Sequence, residues 1–225
     1  ATPALADLAY TLWTQKPPAR PTHRLAIVAA SLEQLREQLQ WALNALERDP
    51  ERVTDPRGMF YSRAPLAETG KVALLFPGQG SQYPNMLRDL ALHFPVVRTT
   101  IEQHERTLAD RLPQPLSRYI FPPPAFTAEE HQAQKAALTD TRIAQPALGA
   151  VSAAVARLLK RFGVHAEAAA GHSYGEYVAL HAAGAIDNGT LARLSETRGR
   201  AIVEAATSDL GGMLAAHTDP QTLAP

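Results

Sequence analysis

The sequence predicts an α/β fold in which parallel strands are flanked by helices. Two short apolar runs, Lys71–Phe76 and His165–Ala170, have the composition of buried strands. Each run leads into a turn that contains glycine, and a helical pattern follows the second turn. Because strands that alternate with helices form parallel sheets, we expect these two runs to be neighbours in one sheet.

The composition is that of an ordinary globular protein. Of the 225 residues, 45% are hydrophobic and 20% are charged. The 22 basic and 22 acidic residues cancel, which argues against a nucleic-acid or membrane surface as the main function. We expect no membrane span, because no apolar run reaches about eighteen residues, and no signal peptide is visible. The lack of cysteine excludes thiolate metal sites and suits the cytoplasm.

Residues 1–68 predict a small α/β unit of helix, strand, helix and strand. Its expected elements are Pro3–Trp13, the buried strand Arg24–Ala30, a helix from Ser31 through Leu46, and Met59–Arg63. Ser31 is a helix cap, because Gln34 stands at the capping-box position three residues later. Turn signals at Asp49-Pro50 and Asp55-Pro56 separate the last two elements. A linker, Pro65–Gly70, follows, and no catalytic constellation occurs in this unit.

The segment between the two apolar runs predicts helices joined by proline-rich turns. The expected helices are Met86–Leu92, Val96–Leu112, Ala128–Leu138 and Ala147–Phe162, with an irregular connection at Pro113–Pro124. Thr127 begins the third helix, and Gly163 is a C-cap for the fourth. After the second run, a helix extends from Asp187 or Asn188 to about Ala206, and Met213–His217 begins another strand.

The most informative stretch is Ala168–Tyr177, which reads AAAGHSYGEY. It places G-x-S-x-G between a strand and a helix, as in a nucleophile elbow. Glycine at 171 and 175 removes side chains that would clash in so sharp a turn. Ser173 would then lie at a helix N-terminus, where a developing negative charge is favoured, and the N–H of Tyr174 is a natural oxyanion donor. The alternative is a loop that uses glycine for turning and serine for capping.

A second glycine-containing loop, Pro77–Gln82, follows the first apolar run. Gly78 and Gly80 allow the backbone to approach a ligand closely, and Gln79 places an amide between them. Neither G-K-[ST] nor the G-x-G-x-x-G spacing occurs here, which excludes the phosphate-binding loops of those types. Loops at the carboxyl ends of strands are nonetheless where α/β proteins form their sites.

The two motifs FPGQGSQ (Phe76–Gln82) and GHSYGE (Gly171–Glu176), in this order, resemble the malonyl-CoA:ACP acyltransferase family. The likeness is to the form found inside modular polyketide and polyunsaturated fatty acid synthases, and it extends from about Lys71 to Pro225. ALTDTRIAQPALGA (Ala137–Ala150) is similar to the family's segment before its long helix, in the form of iterative synthases of the polyunsaturated fatty acid type. Residues 1–68 resemble the linker domain between ketosynthase and acyltransferase.

The resemblance implies a particular architecture and activity. Residues 71–225 would form the first part of an α/β-hydrolase-like acyltransferase large subdomain, incomplete, with a ferredoxin-like insert that begins near residue 212. A small α/β linker domain would precede it. The activity would move a malonyl-type unit from CoA to the phosphopantetheine thiol of an acyl carrier protein through an acyl-serine. The expected partners are the acyl-CoA, the carrier protein and a neighbouring ketosynthase, with no bound cofactor, nucleic acid or membrane.

The family's functional residues transfer onto this sequence as follows. Ser173 is the nucleophile, and the N–H of Tyr174 and the loop residue Gln79 are the oxyanion donors. Arg198 takes the position of an arginine that binds the free carboxylate of malonyl, a task that suits a planar guanidinium. A surface charge beside Arg200 is the alternative for Arg198. The remaining expected substrate-binding residues are Gly78, Gly80 and His172.

No histidine in the sequence fills the role of general base convincingly. Serine is a weak nucleophile and needs a base within hydrogen-bond reach. The side chain of His172 should point away from Ser173, and His181 lies about 12 Å along the same helix. His217 falls where the insert's first strand is expected. The resemblance places the catalytic histidine beyond Pro225, so we expect this chain to be a fragment that is inactive alone.

Two other functional classes stay open. A serine hydrolase also uses G-x-S-x-G, and Asp209 with His217 could nominally complete its chain order of serine, acid and histidine. That class does not account for Gln79 or Arg198. The second class is a non-catalytic segment that docks the domains of a synthase.

Overall fold

The computed structural model describes residues 3–15, 23–49, 51–64, 70–206 and 218. The chain divides into two compact units, Ala1–Val72 and Ala73–Pro225. The expected strand Met213–His217 and the residue Asp209 lie outside the described residues. Within the ranges given, no helix is long and apolar enough to cross a membrane.

The first unit contains a three-stranded antiparallel sheet. Its elements are α1 (Leu5–Thr14), β1 (Arg24–Ile27), α2 (Leu32–Leu46), β2 (Arg52–Asp55) and β3 (Met59–Ser62). Strand β3 lies between the other two, so that Met59 is opposite Ile27 on one side and Asp55 on the other. A small core forms where Ala42 of α2 and Val53 of β2 pack with Met59.

Strand β2 was missed by the sequence prediction, which assigned its end to a turn. Val53 and Asp55 point inward and their neighbours point outward, which is the alternation of a half-buried strand. Asp55 can occupy a buried position because it accepts hydrogen bonds from the guanidinium and the backbone N–H of Arg57. The side-chain bond from Arg57 is the main reason that the pKa of Asp55 falls to about 2. The turn signal of Asp55-Pro56 with Gly58 is confirmed, because a turn at residues 56–58 follows β2 and the N–H of Gly58 donates to the carbonyl of Asp55 at 3.0 Å.

The second unit packs helices around a two-stranded parallel sheet. Its elements are β4 (Ala73–Phe76), α3 (Arg88–His93), α4 (Pro95–Thr107), α5 (Leu116–Ile120), α6 (Ala128–Thr139), α7 (Thr141–Arg161), β5 (Ala168–Gly171), α8 (Gly175–Ala182) and α9 (Asn188–Ala205). Ala73 pairs with Ala168 and Phe76 pairs with Gly171, so the predicted parallel pairing is confirmed. The carboxyl ends of both strands therefore lie at one edge of the sheet.

Helix α7 is the centre of the second unit and packs against α4, α8 and α9. It begins at Thr141, earlier than the predicted start at Ala147, even though Pro146 lacks an N–H for the helix ladder. The side chain of Asp140 caps the N-terminus by accepting the N–H of Arg142 at 2.9 Å. Every residue from 143 to 151 is buried. This burial stabilises the first turns of α7 and outweighs the loss of the hydrogen bond at Pro146.

Helix α5 lies inside the segment that was predicted to be irregular, Pro113–Pro124. Leu116 and Ile120, one turn apart on this helix, are both fully buried. The N–H of Ser117 donates to the carboxylate of Glu105 on α4 at 2.8 Å, which anchors the helix start. The flanking prolines predicted an irregular segment. The helix forms nonetheless, because its stability comes from packing rather than from its own sequence.

Several predicted helix boundaries are confirmed by their capping contacts. The hydroxyl of Ser31 accepts the N–H of Gln34 at 3.1 Å. Thr127 and Glu130 form a complete capping box at the start of α6, and Asp187 accepts the N–H of Thr190 at the start of α9. These signals are local, and the structure uses them as the sequence indicates.

The apolar strands are less buried than predicted. Leu75 of β4 is 77% exposed and Leu25 of β1 is 45% exposed. Successive side chains of a strand point to opposite faces, and only the face with Leu74 and Phe76 packs against the helical core near α7 and α8. A short apolar run does not reveal which of its faces is covered.

Tyr174, the residue before α8, packs against α7 and forms a buried hydrogen bond with α9. The phenol of Tyr174 donates to the hydroxyl of Ser195 at 2.6 Å, and Ser195 donates to the carbonyl of Leu191 at 2.6 Å. Gly149 of α7 lies directly against the phenol oxygen, and a Cβ atom there would overlap it. This glycine allows the close approach of the three segments.

We predict that Gly149→Ala lowers the free energy of unfolding by about 1–3 kcal/mol, because the added methyl group displaces the Tyr174 phenol. Urea unfolding followed by circular dichroism measures this change. Gly189→Ala is the matched control, since its Cβ would meet the Arg193 guanidinium at 3.4 Å and the Asp187 carboxylate at 3.7 Å, both at ordinary contact distances. Alanine is favoured in helices, so the control should be neutral or stabilising. An unchanged or higher free energy of unfolding in the Gly149→Ala variant would contradict the proposed overlap with the Tyr174 phenol.

Candidate active site

The turn between β5 and α8 holds Ser173 in the left-handed backbone conformation, with φ at +53°. A hydrogen bond from the N–H of Gly175 to the carbonyl of His172, at 2.9 Å, closes the turn. The left-handed region is strained for a residue with a Cβ atom, and such strain concentrates at functional sites. Ser173 is exposed at the carboxyl edge of the sheet, as a nucleophile elbow requires.

Both glycines of the motif lack room for a side chain. A Cβ atom on Gly171 would overlap the backbone of Gly175 and Glu176, which agrees with the predicted crowding across the turn. A Cβ atom on Gly175 would instead overlap the carbonyl of Phe76, at the end of β4. The second glycine is therefore required by the neighbouring strand and the loop that follows it.

The loop after β4 lies directly against the elbow. The N–H of His172 donates to the carbonyl of Phe76 at 3.0 Å. A Cβ atom on Gly78 would lie 2.7 Å from the carbonyl oxygen of His172 and 3.4 Å from the Cβ atom of Ser173. Gly80 differs, because its φ of +110° needs glycine although the space around it is open. Gly78 is thus a point where this loop lies tightly against the turn of Ser173.

The side chain of Gln79 is held by two residues of α7. Its amide nitrogen donates to the hydroxyl of Thr141 at 3.0 Å, and its amide oxygen accepts from the amide of Gln145 at 3.3 Å. Gln145 is only 1% exposed. This support was not predicted from the sequence, where the signal that could have revealed it is a glutamine among apolar residues at the start of α7.

Tyr174 has a free backbone donor and a fixed side chain. Its N–H makes no hydrogen bond to any residue that the structure describes, so it is available to an oxyanion. The ring is fully buried, and this burial raises the pKa of the phenol, which stays protonated and donates to Ser195. The side chain therefore anchors the elbow to α9.

Helix α9 places the guanidinium of Arg198 over the ring of Tyr177, 5.7 Å from its centroid. Arg198 is half-buried, and within the described part of the chain no carboxylate pairs with it. Arg200, by contrast, lies 3.6 Å from the carboxylate of Glu196. The alternative of a surface charge describes Arg200, which is exposed and paired. The guanidinium of Arg198 makes no hydrogen bond to another residue in the described part of the chain.

Two of the described histidines, His181 and His104, make contacts away from the elbow hydroxyl. The ring of His181 donates to the carbonyl of Ile186 at 3.0 Å, beyond the far end of α8. His104 is buried in α4, and burial lowers its pKa to about 4. Among the residues with described positions, none hydrogen-bonds to the hydroxyl of Ser173, and no cluster of acidic residues and histidines could hold a metal ion. His217 lies outside these residues.

Comparisons with known proteins identify relatives for most of the chain. The acyl transferase domain family matches residues 73–224. The spectinabilin polyketide synthase system protein NorA of Streptomyces orinoci is 33% identical over 209 residues, which are 93% of this chain and 10% of that protein. The matched region of NorA is longer than the second unit, so the similarity extends into the first.

Two solved structures share the architecture of a large part of this chain. An acyl carrier protein S-malonyltransferase from Vibrio cholerae is 36% identical with a TM-score of 0.51, over 61% of this chain and 40% of that one. A malonyl-transacylase bound to a type II polyketide synthase acyl-carrier protein is 39% identical with a TM-score of 0.52, over the same shares. This chain thus spans two fifths of each solved chain and a tenth of NorA.

We predict that Ser173→Gly is more stable than Ser173→Ala by about 1 kcal/mol, because glycine adopts a positive φ without a steric penalty. Ser152 supplies the matched control, since it lies in the middle of α7. At that position the order should reverse, with alanine more stable by about 1 kcal/mol. The midpoints of urea unfolding for the four variants measure both differences. If alanine is more stable than glycine at position 173 as well, the backbone of Ser173 is not strained.

Proposed function

Because the chain belongs to the acyl transferase domain family, we propose that it transfers an acyl group through an ester on Ser173. The observation that carries this proposal is the strained Ser173 backbone packed against the Gly78 loop. This arrangement supports an exposed hydroxyl at the N-terminus of α8, next to the free N–H of Tyr174. A loop that only turned the chain would gain nothing from a serine with a positive φ.

The proposed reaction has two halves. The hydroxyl oxygen of Ser173 attacks the thioester carbonyl of an acyl-CoA, and the resulting oxyanion accepts hydrogen bonds from Tyr174 and Gln79. A general base takes the serine proton and returns it to the sulfur of the departing CoA. In the second half, the thiol of a carrier protein attacks the acyl-serine and its proton passes to the base. The ester bond then breaks, and the base returns the proton to the oxygen of Ser173. We place this base outside the described residues.

The acyl group that fits this site is a dicarboxylic one, with malonyl as the proposed substrate. Arg198 supports this choice, because a half-buried cation without a carboxylate partner in the described chain is suited to a second carboxylate on the ligand. The malonyltransferase relatives act on acyl carrier proteins, so we propose a carrier protein with phosphopantetheine as the acceptor. The domain itself would need no bound cofactor.

We further propose that the chain works as part of a polyketide or fatty acid synthase in the cytoplasm. The similarity to NorA over 93% of the chain supports this setting. In this proposal, the first unit is the linker between a ketosynthase and the acyltransferase. The second unit is the acyltransferase itself, with its catalytic base in the remainder of the synthase.

In the full-length protein that contains this chain, Ser173→Ala should abolish the malonyl-enzyme detected by mass spectrometry after incubation with malonyl-CoA. The reason is that alanine offers no oxygen for the ester. Ser152→Ala, on α7, is the matched control and should be labelled like the unmodified protein. Persistent labelling of the Ser173 variant would identify another nucleophile. Release of free malonate without transfer to the carrier would instead favour the serine hydrolase class.

Arg198→Ala should lower kcat/KM for malonyl-CoA more than for acetyl-CoA. The loss for malonyl-CoA should be about 1–3 kcal/mol, since the substrate carboxylate would be left without its charged partner. Arg193→Ala, on the exposed side of the same helix, is the matched control and should leave both values unchanged. Steady-state transfer to the carrier protein measures them. Equal losses with both substrates would assign Arg198 a structural role.

A further inference from the structure

Two tyrosine rings at the start of α8 face two side chains of α9. The rings of Tyr174 and Tyr177 are stacked, with centroids 6.1 Å apart and an interplanar angle of 9°. Ser195 and Arg198 are likewise one turn apart on α9, so they lie on the same face of that helix. Tyr174 contacts Ser195, and Tyr177 contacts Arg198. The start of α8 therefore contacts α9 at two consecutive turns of α9.

The first contact fixes the position of α9 relative to the elbow. Tyr174 and Ser195 are both fully buried, and their oxygens are 2.6 Å apart. A satisfied hydrogen bond in a low-dielectric interior favours one geometry strongly, because the alternative leaves buried polar atoms without partners. Ser195 is also bonded to the carbonyl of Leu191, so its own orientation is set. This pair holds the backbone of α9 one turn before Arg198.

The second contact restrains the Arg198 side chain while leaving its charge available. An arginine has several rotatable bonds, and a freely rotating guanidinium binds a carboxylate weakly, since that freedom is lost on binding. The ring face of Tyr177 attracts the guanidinium without occupying its N–H donors. A carboxylate in the same place would restrain Arg198 equally well but would compete with the ligand.

We propose that Tyr177 is a positioning residue that holds the Arg198 guanidinium ready for the second carboxylate of a dicarboxylic acyl group. This inference rests on the proposed function. It assigns the preference for malonyl over acetyl groups to two residues, of which only Arg198 touches the substrate. An acetyl group has no second carboxylate, so its transfer does not use the contact between Tyr177 and Arg198.

The test compares kcat/KM for malonyl-CoA and acetyl-CoA in the full-length protein carrying Tyr177→Leu, Tyr177→Met or Tyr177→Phe. Loss of the ring in the first two variants should lower the ratio of kcat/KM for malonyl-CoA to that for acetyl-CoA about three- to tenfold. Phenylalanine retains the ring and should leave this ratio unchanged. Both rates come from one preparation, so the ratio does not depend on the fraction of folded protein. An unchanged ratio in the leucine and methionine variants, or an equal loss with phenylalanine, would overturn the inference.

A double-mutant cycle separates positioning from a general structural effect. In an Arg198→Ala background, Tyr177→Leu should produce no further change in the ratio, because the residue it positions is gone. A second, additive loss would show that Tyr177 acts by another route. Different results would contradict the proposed function and the role of Tyr177. Absence of a malonyl-serine in the unmodified protein would contradict the proposed function, whereas normal acylation with an insensitive ratio would contradict only the role of Tyr177.

Discussion

The contact between the end of β4 and the turn after β5 is the constraint on which the candidate active site depends. The carbonyl of Phe76 accepts the N–H of His172 and lies where a side chain on Gly175 would be. Parallel pairing thus continues past the last residues of the strands and into the turn. Ser173 and the Gly78 loop meet because the two strands end together. The chemistry proposed for this site is a consequence of strand register.

Helices α7 and α9 supply the support that two short strands cannot provide. Thr141 and Gln145 of α7 hold the side chain of Gln79 in the first loop. Helix α9 approaches the same end of α7 closely, since Gly199 has its Cα next to the carbonyl of Thr141 and a Cβ atom there would lie only 2.6 Å from that oxygen. Glycine at the helix contact therefore brings the Arg198 region and the Gln79 support into one packed layer.

Charges on α9 are distributed so that one arginine stays available. Glu196 is 4% exposed and forms an ion pair with Arg111 at 2.6 Å, with Arg200 on its other oxygen. A buried carboxylate needs such partners, because its desolvation is otherwise unfavourable. These two arginines neutralise Glu196, so this carboxylate does not compete for Arg198. The selectivity proposed for the site requires this separation.

The sequence by itself determined the features that depend on adjacent residues. The G-x-S-x-G turn and the caps at Ser31 and Thr127 follow from local backbone needs, and all are present. The parallel pairing of the two apolar runs was also predictable from their order with the helices. The signals for the turn and the caps are each contained within a few consecutive positions, where steric limits on φ and the orphan N–H groups of a helix act.

The tertiary structure alone decided the features that depend on residues distant in the chain. Helix α7 includes Pro146 because its burial outweighs the lost hydrogen bond, and Leu75 is exposed because only one face of β4 is covered. The support of Gln79 by Gln145 and the placement of Arg198 over an aromatic ring join positions far apart in sequence. Composition and spacing specify which side chains are available, but which of them touch is decided by helix packing, whose energy comes from the whole core.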